Sequence, residues 1–264
     1  MKVKFMKHCL VIALLFCFFS GVSAQSSDSR VSMESERAAK TKVATNFSLG
    51  GNYWTGNTEK GTVIGSLNLA ATDSLKEFSF DAKYIYGENN DRLNQREFLT
   101  GLQYDYSPLS VFSPYVRIEL YTNEFKNIKQ RYSGLAGAKY RFFVYRKDGE
   151  TTSDYSISGA FSYVFEKYTQ DAHSSDRQKV RLSLRPKIKQ KLAKNIYFQS
   201  ELFYMPKIDY RNDYIICVRS NVNFLVNSNV FIKCSYEYEY ESKPITTDIK
   251  KTDTALSISL GINI

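Results

Sequence analysis

Few residues in this chain could make or break covalent bonds. Two histidines occur in 264 residues, and His173 is the one beyond the first ten. It sits in the polar stretch DAHSSD (171–176), where Asp171, Ser175 and Asp176 would be its partners in general-base chemistry. Such a base must lie within hydrogen-bond reach of a nucleophile or water. Six polar residues in a loop give the same string without any chemistry, so it reads as a solvated loop and the chain as no enzyme. One histidine with Cys217 and Cys234 makes no metal-ligand set. The oxygens of ENNDR (88–92) lack the spacing of an EF-hand calcium loop, and TGNTEKG (55–61) has no following helix to cradle phosphate. No cofactor or metal is expected.

The remaining chemistry is ionic. In QKVRLSLRPKIKQK (178–191), Val180, Leu182, Leu184 and Ile188 alternate with Lys179, Arg181, Arg185, Lys187 and Lys189. Period-two alternation marks a strand, whose successive side chains point to opposite faces. Arg117 and Glu119 alternate in the same way with Val116, Ile118 and Leu120. Lys139 and Arg141 (in 131–145), Glu201 (195–207), Arg219 (213–226) and Glu237, Glu239 and Glu241 (230–242) hold the polar faces of other segments. Together these are the candidate lining of a charged interior.

The elements that would position them are twelve alternating segments: 43–54, 62–71, 77–87, 96–106, 115–125, 131–145, 154–168, 178–191, 195–207, 213–226, 230–242 and 252–264. Connectors after odd segments are polar and charged. Those after even segments are tighter, with RKDGETTS (146–153) the exception. The pattern predicts an all-β, antiparallel up-and-down barrel of about twelve strands over 43–264. Residues 1–24 carry Lys2, Lys4 and Lys7, the apolar run CLVIALLFCFF and the small-residue site SGVSA, which describe a secretory signal peptide cut after Ala24. An apolar run of eleven residues is short for a membrane helix, which needs about 20. Residues 25–42 read as a flexible periplasmic lead-in. Removing the signal lowers the formal charge from +9 to +6. In an exported chain that excess does not point to nucleic acid.

Which face meets water decides the class. Phe78, Phe80, Tyr84, Tyr86, Tyr104, Tyr106, Phe161, Tyr163 and Phe165 crowd the apolar faces, with tyrosines near segment ends as in membrane-interface girdles. A Lys or Arg facing lipid at mid-membrane costs about 2–4 kcal/mol, so the five cations from Lys179 to Lys189 are expected to face the lumen, near Glu166, Glu201, Glu237, Glu239 and Glu241. Pro186 predicts a bulge or a shorter strand at that point. By parity, Cys217 shares the inner face with Arg219 and Cys234 the outer face, so no disulfide joins them.

The segments SLGGNYWTGNTEKGTVIGSLNLA (48–70), NQREFLTGLQYDYSP (94–108) and SKPITTDIKKTDTALSISLGINI (242–264) resemble the salt-induced bacterial outer-membrane proteins, a family of unknown function. The resemblance implies an outer-membrane barrel and brings no active-site residues. The expected partners are outer-membrane lipid and, during biogenesis, the barrel-assembly machinery. The function expected is passage or binding of small polar solutes. The alternative is a structural or surface-interaction barrel plugged by long side chains such as Arg117, Arg141, Arg181, Arg185 and Glu239.

Overall fold

The computed structural model describes residues 42–54, 60–73, 75–89, 92–148, 150–169, 177–244 and 250–264. Among them twelve antiparallel strands close into one barrel, each paired with its neighbours in chain order. They are β1 (Lys42–Trp54), β2 (Lys60–Thr72), β3 (Lys76–Asn89), β4 (Arg92–Tyr106), β5 (Phe112–Asn123) and β6 (Ile128–Lys147). The others are β7 (Glu150–Tyr168), β8 (Arg177–Ala193), β9 (Ile196–Pro206), β10 (Tyr214–Leu225), β11 (Val230–Glu241) and β12 (Thr252–Asn263). Each expected segment is a strand, and no helix occurs among the described residues. The expected signal peptide and nearly all of the lead-in lie outside them.

Short polar side chains shape several turns. Asp73 Oδ1 accepts the amides of Leu75 and Lys76 between β2 and β3, both at 2.7 Å. Asn227 Oδ1 does the same for Asn229 and Val230 between β10 and β11, at 2.9 and 2.8 Å. These side chains imitate a backbone turn. The barrel closes where β1 meets β12, from Asn46↔Asn263 to Gly50↔Ser259. Asn46 Nδ2 donates to Asn263 Oδ1 at 3.0 Å across that seam. Gly50 permits the approach: a Cβ there would stand 2.3 Å from the Ile258 carbonyl oxygen.

Two expectations need correction. RKDGETTS is no long connector, because β6 runs to Lys147 and β7 starts at Glu150. Lys147 pairs with Glu150 across an Asp-Gly dipeptide, and Asp148 takes a φ of 54°, as tight hairpins with this sequence do. Pro186 neither bulges nor shortens β8. Its register with β7 is continuous from Ser153↔Gln190 to Glu166↔Arg177. The missing donor is felt on the other side, where the β9 ladder skips from Leu184↔Tyr204 to Lys187↔Glu201 without a change of register.

The apolar and polar surfaces are inverted relative to a water-soluble fold. Leu256, Phe161 and Ile118 are 71%, 64% and 62% exposed on the outside of the barrel, while Glu166, Arg181 and Asp105 are 2–3% exposed within it. This is the distribution of a barrel that spans a membrane. A bulge in β6 between Arg141 and Phe143 strengthens the outer belt. It leaves Phe142 and Phe143 both exposed and facing Tyr155, at ring-centroid distances of 6.4 and 5.1 Å.

Candidate functional site

The lumen is where the charged side chains meet. On β8, Lys179, Arg181 and Ser183 are buried, whereas Val180, Leu182, Leu184 and Ile188 are exposed outside. Arg117, Glu119, Lys139, Arg141, Arg185, Lys187, Lys189, Glu201, Arg219, Glu237 and Glu239 are half-buried in their strands, and Glu241 is buried. Cys217 is buried in β10 and Cys234 sits half-buried in β11, both as free thiols. Cys217 lies opposite Glu239 and Cys234 opposite Val222.

Cross-strand register converts these side chains into a charge ladder. Lys187 pairs in register with Glu201, Glu201 with Arg219, and Arg219 with Glu237. Opposite charges therefore alternate around β8, β9, β10 and β11, the arrangement that favours cross-strand pairs. Arg185 donates to Glu201 from Nε at 3.0 Å and Nη2 at 2.5 Å. Its guanidinium also lies 4.8 Å from the centroid of Phe203, with that of Arg219 at 5.1 Å. The ring is thus held beside two cations.

Arg117 is fixed by Asp81 and Glu119, each at 2.7 Å. Its guanidinium lies against Gly101, where a Cβ would come within 2.2 Å of Nη2. Arg181 has a different task. Its Nη2 donates to Asp213 Oδ1 at 2.6 Å, and Nη1 donates to the carbonyls of Met205 and Asp213. It anchors the β9–β10 connector rather than presenting a free charge. In that connector, a hydrogen bond from Lys207 holds the exposed Asp209 carboxyl below its ordinary pKa.

One end of the barrel carries the longer connectors, which follow β7, β9 and β11. There Glu166 receives Arg131 at 2.7 Å and Lys179 at 2.9 Å, with the Tyr168 hydroxyl also donating to it. Ile128 and Tyr168 form a buried apolar cluster with Tyr121 alongside. Two lysines join distant walls through ion pairs. Lys83 of β3 reaches Glu237 of β11 at 2.6 Å. Lys126, in the β5–β6 turn, reaches Glu239 at 2.8 Å and Asp253 at 2.7 Å.

Lys83, Lys126, Arg131 and Asp213 were not among the expected lining residues. Strand parity could have found Lys83, which alternates with Ala82 and Tyr84 in β3, and Arg131 likewise in β6. Lys126 and Asp213 lie in connectors, where no period reveals direction. His173 and its loop, and parts of the ENNDR and TGNTEKG stretches, lie outside the described residues. Among the described residues no group of His, Cys, Asp and Glu could hold a metal ion.

Several solved barrels are similar in architecture. The KdgM porin aligns at 13% identity over 84% of this chain and 97% of its own, with a TM-score of 0.43. The NanC porin does so at 12% identity over 82% and 98%, with a TM-score of 0.46. The translocator domain of the autotransporter NalP from Neisseria meningitidis aligns at 9% identity over 98% and 94%, with a TM-score of 0.40. No curated protein matches the chain. Residues 47–264, nearly all of the barrel, match the family described as "Protein of unknown function, DUF481", and the chain belongs to that family.

Proposed function

We propose that this protein is an outer-membrane channel whose charged lumen passes or holds small polar solutes. The observation that carries the reading is the pairing of an apolar exterior with an interior of ion pairs. Lipid accounts for the first and hydration of a lumen for the second. Short periplasmic turns and longer extracellular loops are usual in such barrels, so the tight turns after β2, β6 and β8 support an orientation with that end in the periplasm and the longer connectors outside the cell. Export would use the signal peptide, so the mature chain should begin at Gln25. The salt-induced expression implied by the sequence resemblance belongs to the same proposal and is checked by transcript abundance at high and low salt.

A plugged, structural barrel is the second reading, favoured by the Lys83–Glu237 and Lys126–Glu239 pairs between distant walls. Reconstitution into a planar bilayer separates the two. Discrete conductance steps support the channel; a protein that fractionates with outer membranes and inserts without conducting supports the plug. Recovery in the soluble periplasmic fraction without detergent overturns both.

A further inference from the structure

Toward the end of the barrel bearing the short turns lies a recess of about 110 Å³. Five cations line it: Lys139, Arg141, Arg185, Lys187 and Lys189. Three carboxylates share the lining, and each is already engaged. Glu77 accepts a hydrogen bond from Thr72, Asp105 accepts one from Gln103 at 2.6 Å, and Asp154 lies 3.3 Å from Arg141 Nε.

Two ammonium groups in this recess are held loosely. Lys139 Nζ is 4.0 Å from Asp105 and 3.3 Å from the Pro108 carbonyl oxygen. Lys187 Nζ is 3.7 Å from Glu201, a carboxylate that Arg185 contacts at 2.5 Å. Ammonium groups at the opposite end are bound closely, with Lys83, Lys126 and Lys179 all within 2.9 Å of a carboxylate oxygen. Charge-assisted hydrogen bonds fall near 2.7–2.9 Å, so the recess lysines retain donor capacity that the others have spent.

The frame around these lysines is stiff. Arg141 donates to the carbonyls of Leu109 and Pro108 at 2.9 and 3.0 Å, pinning the β4–β5 turn as one rim. Arg185 is fixed between Glu201 and Phe203. Lysines with incomplete partners inside a stiff frame suit an incoming anion, because only their own side chains must be ordered on binding.

We propose that this recess is a binding site for small anionic solutes carrying carboxylate or phosphate groups, with Lys139 and Lys187 as the principal contacts. The proposal deepens the channel reading and rests on it for the route by which a solute arrives. Binding and conduction are therefore measured separately.

Calorimetry of the detergent-folded full chain with citrate, and in parallel with inorganic phosphate, reads binding. Bilayer recording with the same anions reads block. Saturable heat with either anion is expected; citrate alone would assign the site to carboxylates, and phosphate alone to phosphates. The double variant Lys139→Gln/Lys187→Gln should lower affinity by at least about tenfold, the scale of losing charged contacts, and relieve block. Arg96→Gln, a substitution in an exposed pair at the other end, should leave both unchanged. Retained heat-modifiable gel mobility shows that each variant is folded. No saturable heat with either anion, or heat that the folded double variant preserves, overturns the site even if the channel conducts. Binding without conductance supports the site and overturns the channel.

Discussion

Arg181 and Arg185 stand four residues apart on one face of β8, yet their surroundings give them different work. Arg181 is almost fully buried, and its donors are spent on Asp213 and two backbone carbonyls. Removing one member of a buried pair strands the other charge and costs about 3–5 kcal/mol. Arg181→Ala should therefore lower the temperature at which the heat-modifiable folded band disappears, and should expose the β9–β10 connector to protease. Arg96→Ala, which breaks a pair half exposed on both sides, should cost no more than about 1 kcal/mol and leave that temperature nearly unchanged. Alternation alone separates the two faces of a strand, so both arginines were legible as sharing one face of β8. Their division of labour was not, because Asp213 approaches from a connector. Local sequence carries no period there.

At the scale of the element, β8 tests the whole register. A slip by one residue would move every charge on this strand to lipid, at about 2–4 kcal/mol for each near the midplane. Single cysteines at 182 and 184 should react with a lipid-soluble thiol reagent. A cysteine at 185, facing the recess, should react only with a small water-soluble one. Reversal of this pattern would mean a barrel with its apolar face inside. The seam gives a second test. Gly50→Val would drive its side chain into Ile258 and Ser259, and overpacking of this kind costs about 1–3 kcal/mol. The folded band should be lost at a lower temperature than in the native chain, and a variant as heat-resistant as the native chain would show that the seam relaxes freely. The twelve strands were legible because alternation survives in each one. The reach of the β6–β7 hairpin was hidden because polar residues at 146–153 satisfy turn and strand alike. Pro186 misled for a related reason: only one of the two flanking ladders carries its missing hydrogen bond.

For the whole molecule, the question is how far the lumen is open along its axis. In a closed twelve-stranded order, the β5–β6 turn and the β11–β12 pair lie six strands apart, on opposite walls. Lys126 nevertheless touches Glu239 and Asp253, so this turn leans across the mouth. Ile128 and Tyr168 pack beneath it, and Lys83 makes a second crossing to Glu237. Burial works against the charge on Lys126, but Glu239 and Asp253 outweigh it and raise its pKa above the ordinary lysine value. The stabilising contribution of that charge is thus fully present below about pH 10.4, the unfolded value, and is lost only as pH rises through the raised one. Conductance should accordingly be insensitive to Lys126 titration throughout the neutral range. Removing the crossings is the stronger perturbation: Lys83→Ala with Lys126→Ala should raise single-channel conductance while the folded band persists. The single substitution Lys126→Ala should account for most of the gain, because its turn, unlike strand β3, can swing away once released. An unchanged conductance in the folded double variant would place the narrowest point elsewhere, at the Arg117 and Glu119 level or below.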